Sequence, residues 1–122
     1  MTIQTVNKII KGNNLGMADA HAHVWIDHKG FRSKIIPASD DFQLIKENLL
    51  DFKKNGGDFL IDCTPFGCGR DGNCLYKLSI ETGVEIVCVT GFHKRDYYLS
   101  SPKIWNFSLP TFALLTIFKI KS

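Results

Sequence analysis

Three short apolar segments alternate with two segments of helical periodicity, and this order constrains the fold more than any other feature of the sequence. The last apolar segment, Val84 to Thr90, is almost continuously apolar and β-branched, which is typical of a parallel strand covered on both faces. The earlier ones lie within Met17 to Asp27 and Asp58 to Cys63. This βαβαβ order predicts right-handed crossovers and an α/β fold, with helices packed on a parallel sheet.

The first predicted helix begins with a group of residues suited to a helix start. Ser39 is placed at the N-cap, and Asp40 and Asp41 fall in the first turn, where acidic side chains favour the helix dipole. The helix ends in the Lys53 to Gly57 cluster. Between these ends, apolar residues recur at helical spacing: Phe42, Ile45, Leu49 and Phe52.

The second helix is predicted from Asp71 to Thr82, with Gly83 as its stop signal. Leu75, Leu78 and Ser79 share one face of it. Near the N-terminus, Ile3 to Ile10 is rich in β-branched residues and precedes the turn-forming cluster Lys11 to Asn14. That pattern predicts a short strand or hairpin before the first long strand.

Residues 1–98 are predicted to form one domain and residues 99–122 a divergent tail. A chain of 122 residues, 44% hydrophobic and 22% charged, suits a single domain with its own core. In the tail, Ile104 to Phe118 carries no charge and is interrupted by Pro110, so it is too short and too broken for a transmembrane helix. A helix starting near Ser108 or Leu109 is compatible with that proline.

Charge and cysteine content narrow the class of protein. The net charge of +3 arises from 15 basic and 12 acidic residues scattered along the chain, which argues against a nucleic-acid or membrane surface. The chain lacks a secretory signal pattern and a Cys-x-x-Cys pair. Its cysteines are therefore predicted to be free thiols in a reducing cytoplasm: Cys63, Cys68, Cys74 and Cys88.

His21 and His23 are separated by one residue within the first predicted strand. On a strand, side chains two apart point the same way, so both imidazoles can converge on one cation. Small alanines alternate with them and Val24 to Ile26 is apolar, which predicts a strand that buries most of itself and keeps polar groups on one face. A solvated strand face is the simpler reading of the pair.

The carboxyl ends of the three predicted strands carry the polar residues that suit a site. In parallel α/β folds, ligand-binding groups gather in the loops after these ends. The residues found there are His21, His23 and Trp25 after the first strand, Asp62, Thr64 and Arg70 after the second, and Thr90, Phe92 and His93 after the third.

Four blocks of sequence, in order, carry a resemblance to a known family. They are Leu-Gly-Met-Ala-Asp-Ala-His-Ala-His at Leu15 to His23, Gly-Gly-Asp-Phe-Leu-Ile-Asp-Cys-Thr-Pro at Gly56 to Pro65, Gly-Arg-Asp at Gly69 to Asp71, and Thr-Gly-Val-Glu-Ile-Val-Cys-Val-Thr-Gly-Phe-His at Thr82 to His93. With these blocks the chain resembles the phosphotriesterase family of the amidohydrolase superfamily. A TatD-like nuclease is another His-x-His metallohydrolase, but the third and fourth blocks favour the phosphotriesterase relative.

The resemblance implies a (β/α)₈ TIM-type barrel that holds two divalent metals, usually zinc, with a bridging hydroxide. Such metals activate water and polarise a phosphoryl or carbonyl oxygen, so that a phosphotriester, carboxyl ester or lactone is hydrolysed. His21 and His23 match the family's first-strand ligands. Many members have Glu where this chain has Ala22, at a position that faces away from the metal.

Length is the main departure from the family. A complete barrel takes about 250 residues, whereas this chain is expected to end after about three strands, as a truncated or fragmentary N-terminal portion. The resemblance implies that a lysine carboxylate, two more histidines and an aspartate come from later strands. The chain is therefore expected to bind zinc poorly, or to be a non-catalytic unit that self-associates through its unpaired strand edges.

Individual residues at the predicted site have competing roles, and no catalytic residue is assigned among them. Asp62 is predicted to bond a loop amide rather than act in catalysis. Arg70, before a helix, suits a substrate anion or an internal salt bridge. His93 suits the substrate pocket or a hydrogen bond that fixes its loop, and Trp25 is a further candidate substrate contact. His28 is interpreted as a plain loop histidine.

Overall fold

The computed structural model describes residues 2–27, 38–93 and 98. Five strands and two α-helices follow in chain order: β1 (Thr2–Gln4), β2 (Ile9–Lys11), β3 (Met17–Ala22), α1 (Phe42–Lys54), β4 (Gly57–Asp62), α2 (Gly72–Thr82) and β5 (Glu85–Cys88). A short 3₁₀ helix, Gly12–Asn14, lies between β2 and β3. The predicted loop after Asp27 lies mostly outside the described residues, as does all but residue 98 of the chain beyond His93, including the tail.

The predicted parallel sheet is confirmed. Its strand order is β3-β4-β5, and both neighbouring pairs are parallel, with Leu60 opposite Ile86 in the second pair. The first two strands form an antiparallel hairpin, which also agrees with the sequence. The hairpin is attached to the sheet because the Val6 N–H donates to the Ile86 carbonyl at 2.8 Å.

The start of α1 differs from the prediction. The N-cap is Asp41, whose Oδ1 accepts a hydrogen bond from the Leu44 N–H at 3.0 Å, so the placement of the cap at Ser39 was wrong. Ser39 is instead held in an antiparallel bridge with Ile26, through two backbone hydrogen bonds of 2.9 and 3.0 Å. The carbonyl of an N-cap residue accepts the first intrahelical hydrogen bond. The Ser39 carbonyl accepts from the Ile26 N–H instead, and the Asp41 carbonyl accepts from the Ile45 N–H at 3.0 Å.

Both predicted ends of α2 are confirmed. Asp71 Oδ1 accepts from the backbone N–H groups of Asn73 and Cys74, at 2.8 and 3.1 Å, which satisfies two otherwise unpaired donors at the helix start. Gly83 ends the helix in the left-handed conformation, with φ of 70°. Glycine suits that position because it has no Cβ to clash there.

The core lies between the two helices and the sheet. α1 packs against β4 and α2, and α2 packs against β5. Four side chains at the centre of the core are fully buried. Leu75 and Leu78 lie on the predicted inner face of α2, and Val84 and Ile86 follow that helix in the chain. Around them pack apolar residues from β3, α1 and β4 and the segment after β3, among them Val24, Trp25, Ile45, Leu49 and Leu60.

The prediction that the first long strand buries most of itself was wrong. Residues 17–21 of β3 are exposed, and Met17 keeps 58% of its surface accessible. In the described part of the chain β3 pairs only with β4, so it lies at an edge of the sheet. Burial begins beyond the strand, where Val24, Trp25 and Ile26 are at most 9% exposed.

All four cysteines are free thiols in the structure. Within residues 2–27, 38–93 and 98, no helix is long and apolar enough to cross a membrane. The boundary proposed at residues 98 and 99 stays a prediction, because the residues around it fall outside the described ranges.

Candidate functional site

The carboxyl ends of β3, β4 and β5 meet at one edge of the sheet. The Cys63 N–H donates to the Ala22 carbonyl at 2.7 Å, and the Val89 N–H donates to the Asp62 carbonyl at 3.1 Å. These two bonds continue the parallel pairing past the last residues of the strands. The loops that follow are therefore held side by side, as the sequence predicted for a site.

His21 and His23 lie together at this edge. Both residues are exposed, and their ring centroids are 5.4 Å apart with an angle of 72° between the ring planes. The backbone before His23 is fixed locally, because the His21 N–H donates to Asp19 Oδ1 at 2.9 Å. Two neighbouring imidazoles open to solvent are a donor arrangement that suits a divalent metal.

His23 also contacts the loop after β4. Its Nδ1 lies 3.0 Å from Thr64 Oγ1, within hydrogen-bonding distance. Thr64 is only 2% exposed, so the hydroxyl that meets the ring is held in a closely packed position. With Nδ1 engaged in this contact, Nε2 is the ring atom left to bind a metal.

Asp62, the last residue of β4, is fully buried beneath this contact. Its Oδ1 accepts from the Thr64 N–H at 2.9 Å, which confirms the prediction that Asp62 bonds a loop amide. Its Oδ2 is buried without a hydrogen-bond partner among the described residues. Burial raises the pKa of the Asp62 carboxyl, whereas hydrogen bonds from Thr64 and the positive charges of Arg70 and His23 act in the opposite direction.

Arg70 connects the loops that follow two neighbouring strands. One terminal nitrogen of its guanidinium donates to the Val89 carbonyl at 2.6 Å and lies 3.3 Å from the Thr64 carbonyl. The side chain therefore fixes the backbone on either side of the buried Asp62. Binding of a substrate anion by Arg70 stays a prediction.

Trp25 and His93 occupy different surroundings from the histidine pair. Trp25 is 9% exposed and belongs to the core. The His93 backbone N–H lies 3.0 Å from the Tyr98 hydroxyl, which donates in turn to the Phe66 carbonyl at 2.8 Å. His93 is thus part of a bridge between two loops, and substrate contacts by either residue remain predictions.

A cleft of about 250 Å³ lies between the end of β3 and α1. Asp19, His23 and Asn48 contribute polar groups to its lining, and Ile45 and Leu49 are among its apolar residues. His23 is thus one of the residues that line this cleft.

The histidine pair fits a divalent metal as two of its ligands. Zinc sites in proteins use three or four protein ligands. Across the described ranges, no group of three or more histidine, cysteine or acidic side chains is arranged to hold a metal ion. The two imidazoles therefore provide part of a coordination sphere, and the remaining ligands would have to come from elsewhere.

The role of Thr64 was missed from sequence, although the residue was placed at the correct edge. His23 and Thr64 are separated by 41 positions, and no local periodicity links them. The available signal was the position of Thr64 directly after the end of β4, at the edge of the sheet where His23 also lies.

Comparison with known proteins places these residues in a family. The model of the Phosphotriesterase family matches residues 1–105. Among curated proteins, the human N-acetyltaurine hydrolase is 39% identical over 70 residues, which is 57% of this chain and 20% of that protein. The matched segment thus spans about a fifth of the length of that relative.

Solved structures agree with the fold. An amidohydrolase from Mycoplasma synoviae superimposes with a TM-score of 0.82 at 21% identity, over 99% of this chain and 36% of the other. The organophosphorus hydrolase from Deinococcus radiodurans gives a TM-score of 0.66 at 27% identity, over 83% of this chain and 32% of the other. The predicted βαβαβ segment of a TIM-type barrel is thereby confirmed, and with the family match extending over most of its sequence, the chain belongs to the phosphotriesterase family.

Proposed function

We propose that this chain carries the first-strand part of a metal-dependent hydrolase site, in which His21 and His23 are two ligands of a divalent metal, zinc by preference. The observation that carries the proposal is the pair of exposed imidazoles, 5.4 Å apart between ring centroids, at the carboxyl edge of a parallel sheet. Family membership supports it and favours this hydrolase class over a TatD-like nuclease.

Each residue at the edge has a role in this proposal. His21 and His23 bind the metal through ring nitrogens, and Thr64 holds the second ring in place through its 3.0 Å contact. Arg70 holds the two loops together through its contacts with the Thr64 and Val89 carbonyls. When bound, the metal would supply Lewis acidity and an activated water near neutral pH.

The substrate in this proposal is a small molecule with an electrophilic carbonyl or phosphoryl centre. Phosphotriesters, carboxyl esters and lactones are the classes expected from sequence. One relative is named for organophosphorus hydrolysis and another for hydrolysis of N-acetyltaurine, so an N-acyl amine joins the classes to be assayed. All of them require the same event, attack of water on a polarised centre.

Metal binding by the purified chain tests the ligand roles. Cobalt(II) is titrated as a spectroscopic probe against the wild type, His21→Ala, His23→Ala and the double variant, with His28→Ala as the matched histidine control. We expect weak binding by the wild type, because two protein ligands hold a metal poorly. Binding should be lost in the double variant and kept in His28→Ala. Equal binding by the wild type and the double variant would contradict the proposal.

A chimera tests the reaction itself. The segment of the Deinococcus radiodurans organophosphorus hydrolase that aligns with Leu15 to His23 is replaced by those residues of this chain. We expect the chimera to keep metal-dependent hydrolysis and to lose it when His21 or His23 is changed to alanine. An inactive but folded chimera that binds metal normally would show that these residues do not serve this chemistry.

Self-association is a second candidate, favoured by the exposure of residues 17–21 on an edge strand. Edge strands with unpaired backbone groups recruit further strands unless charges or bulges prevent it. Met17→Lys places a charge on this edge and should lower association in sedimentation experiments, while Lys54→Met outside the sheet should not. A folded monomer at all protein concentrations would contradict this candidate.

A further inference from the structure

The cleft between the end of β3 and α1 has a largely apolar wall. Ile45, Leu49 and Phe52 line it from α1, and Leu60 lines it from β4. Its volume of about 250 Å³ is below the range of about 300–1,000 Å³ that is usual for small-molecule pockets. A small apolar cleft of this kind suits apolar side chains of a polypeptide better than a separate ligand.

The apolar surface continues along the side of α1 that faces away from α2. Lys46 donates to Glu81 of α2 at 2.7 Å, which marks the side of α1 next to that helix. Leu44 and Asn48 are each two residues from Lys46, and they therefore lie about 200° around the helix from it. Asn48 lines the cleft, and Leu44, one turn before it, is 56% exposed. An accessible leucine thus lies beside the cleft.

Exposed aspartates border this apolar surface. Asp19 lines the cleft from β3. Asp41 precedes Leu44 by three residues and Asp51 follows Asn48 by three, so these residues share one side of α1. All three aspartates are exposed. Contact between two copies of this surface would bring like charges together, which is unfavourable, whereas an apolar segment with positive ends is complementary to it.

One segment of the chain has this composition. Ile104 to Phe118, which lies outside the described residues, carries no charge and is rich in aliphatic and aromatic side chains. Lys103 directly precedes it, and Lys119 and Lys121 follow it. Because exposure of many apolar side chains to water is unfavourable, the segment requires an apolar surface. Its flanking lysines suit a surface that is bordered by aspartates.

The segment is also within reach of the cleft. The Tyr98 hydroxyl donates to the Phe66 carbonyl at 2.8 Å and accepts from the His93 N–H at 3.0 Å, so Tyr98 lies by the loops after β4 and β5. Neighbouring strands are about 4.8 Å apart, which puts β3 about 10 Å from β5 across the sheet. An extended chain from Tyr98 to Ile104 spans up to about 20 Å. Its length is therefore sufficient to cross the sheet.

We propose that Ile104 to Phe118 docks on this surface within the same chain, with apolar side chains in the cleft and the flanking lysines near the aspartates that border it. Docking removes Leu44 and the apolar wall of the cleft from water. The contact does not require metal binding by the histidine pair, so it holds or fails independently of the proposed function.

Hydroxyl-radical footprinting of the full chain tests the proposal with an internal control. Leu44 and Leu50 belong to the same helix and are 56% and 42% exposed in the structure, and Leu50 lies about 120° around the helix from Leu44. Without a covering segment, Leu44 should be oxidised at least as fast as Leu50. We expect docking to reverse this order, with a rate ratio of Leu44 to Leu50 below one. A ratio of one or more would overturn the proposal.

Two matched pairs of substitutions identify what covers Leu44. Leu114→Asp with Leu115→Asp introduces two charges into the segment and should raise the ratio above one. Tyr76→Asp with Ile80→Asp introduces the same charges at exposed positions of α2 and should leave the ratio unchanged. Unchanged Leu50 rates and far-ultraviolet circular dichroism show that the fold is retained. A ratio that stays below one in the folded Leu114→Asp, Leu115→Asp chain would overturn the role of the segment.

Dilution separates docking within one chain from docking between copies. The ratio is measured at several protein concentrations, with sedimentation of the same samples. We expect it to stay constant, because the segment and the cleft belong to one molecule. A ratio that rises on dilution to the value of the Leu114→Asp, Leu115→Asp chain would show that another copy supplies the segment, and would overturn docking within the chain.

Discussion

Alanine in place of Gly69 is expected to destabilise the fold in two ways, through backbone strain and through steric overlap with Asp27, and a control substitution can separate the two. Gly69 has φ of +90°, and a Cβ built there would lie 2.2 Å from the Asp27 carbonyl oxygen and 2.8 Å from its backbone nitrogen. The two residues are also joined by the Asp27 N–H, which donates to the Gly69 carbonyl at 2.8 Å. Gly69→Ala must therefore separate two backbone segments that follow β3 and β4.

The chain contains a matched control for this substitution. Gly91 has φ of +105°, and among the described residues no atom lies within 4 Å of a Cβ built there, so Gly91→Ala is expected to carry backbone strain of about 1–3 kcal/mol without that overlap. Gly69→Ala adds overpacking of about 1–3 kcal/mol and weakens a hydrogen bond worth about 0.5–1.5 kcal/mol. Effects of alanine on the unfolded chain are common to both variants and cancel in the comparison.

Urea unfolding followed by far-ultraviolet circular dichroism measures the difference. We expect Gly69→Ala to lower the free energy of unfolding by about 1–4.5 kcal/mol more than Gly91→Ala does. Gly72→Ala provides the opposite limit, because Gly72 has no positive φ and, among the described residues, no atom lies within 4 Å of a Cβ built there. Neither strain nor overlap is expected in that variant. Equal unfolding midpoints for Gly69→Ala and Gly91→Ala would refute the steric argument.

Three further predictions concern a helix cap, an ion pair and a thiol. Asp71→Ala removes the acceptor for two N–H groups and should cost about 1 kcal/mol in urea unfolding, with Asp71→Asn much closer to the wild type. The hydrogen bond and positive charge of Lys53 lower the pKa of Asp58. The stabilisation from this pair is therefore present above the unfolded pKa of about 3.9 and is lost as pH falls through the lowered folded pKa. Lys53→Met should flatten that part of the curve of unfolding free energy against pH, and an unchanged curve would contradict the assignment. Burial raises the pKa of the Cys88 thiol to about 11. Because the thiolate is the reactive form, alkylation of Cys88 at about pH 8 should be about 100-fold slower in the folded chain than in urea. Mass spectrometry measures both rates, and equal rates would contradict the raised pKa.

Much of the fold could be predicted because it depends on local patterns. The β-branched run that contains β5 and the glycine that ends α2 each specify a structure from a few adjacent residues. The start of α1 could not be chosen in this way, because Ser39, Asp40 and Asp41 are all suitable caps. Pairing of Ser39 with Ile26 decides the matter, and that contact joins distant parts of the sequence.

The candidate site shows the same division. The two-residue spacing of His21 and His23 was sufficient to predict that their rings lie together. The bond of Asp62 to a loop amide also followed from its place at the end of a strand, whereas its complete burial was not predicted. The contact between Thr64 and His23 depends on the register of β3 against β4, which contains irregularities, and side-chain patterns do not specify such shifts.

The open edge of β3 and the incomplete ligand set among the described residues are expected to share one physical origin. A strand in a closed barrel has a neighbour on each side, and neighbouring strands end at the same edge. Within the described residues β3 has β4 on one side alone, so its other side has no strand neighbour there. A parallel strand added at that side would bring its own carboxyl end next to that of β3, from which further metal ligands could come. Coverage of the edge and completion of the metal site are therefore expected to occur together, whichever chain supplies the strand.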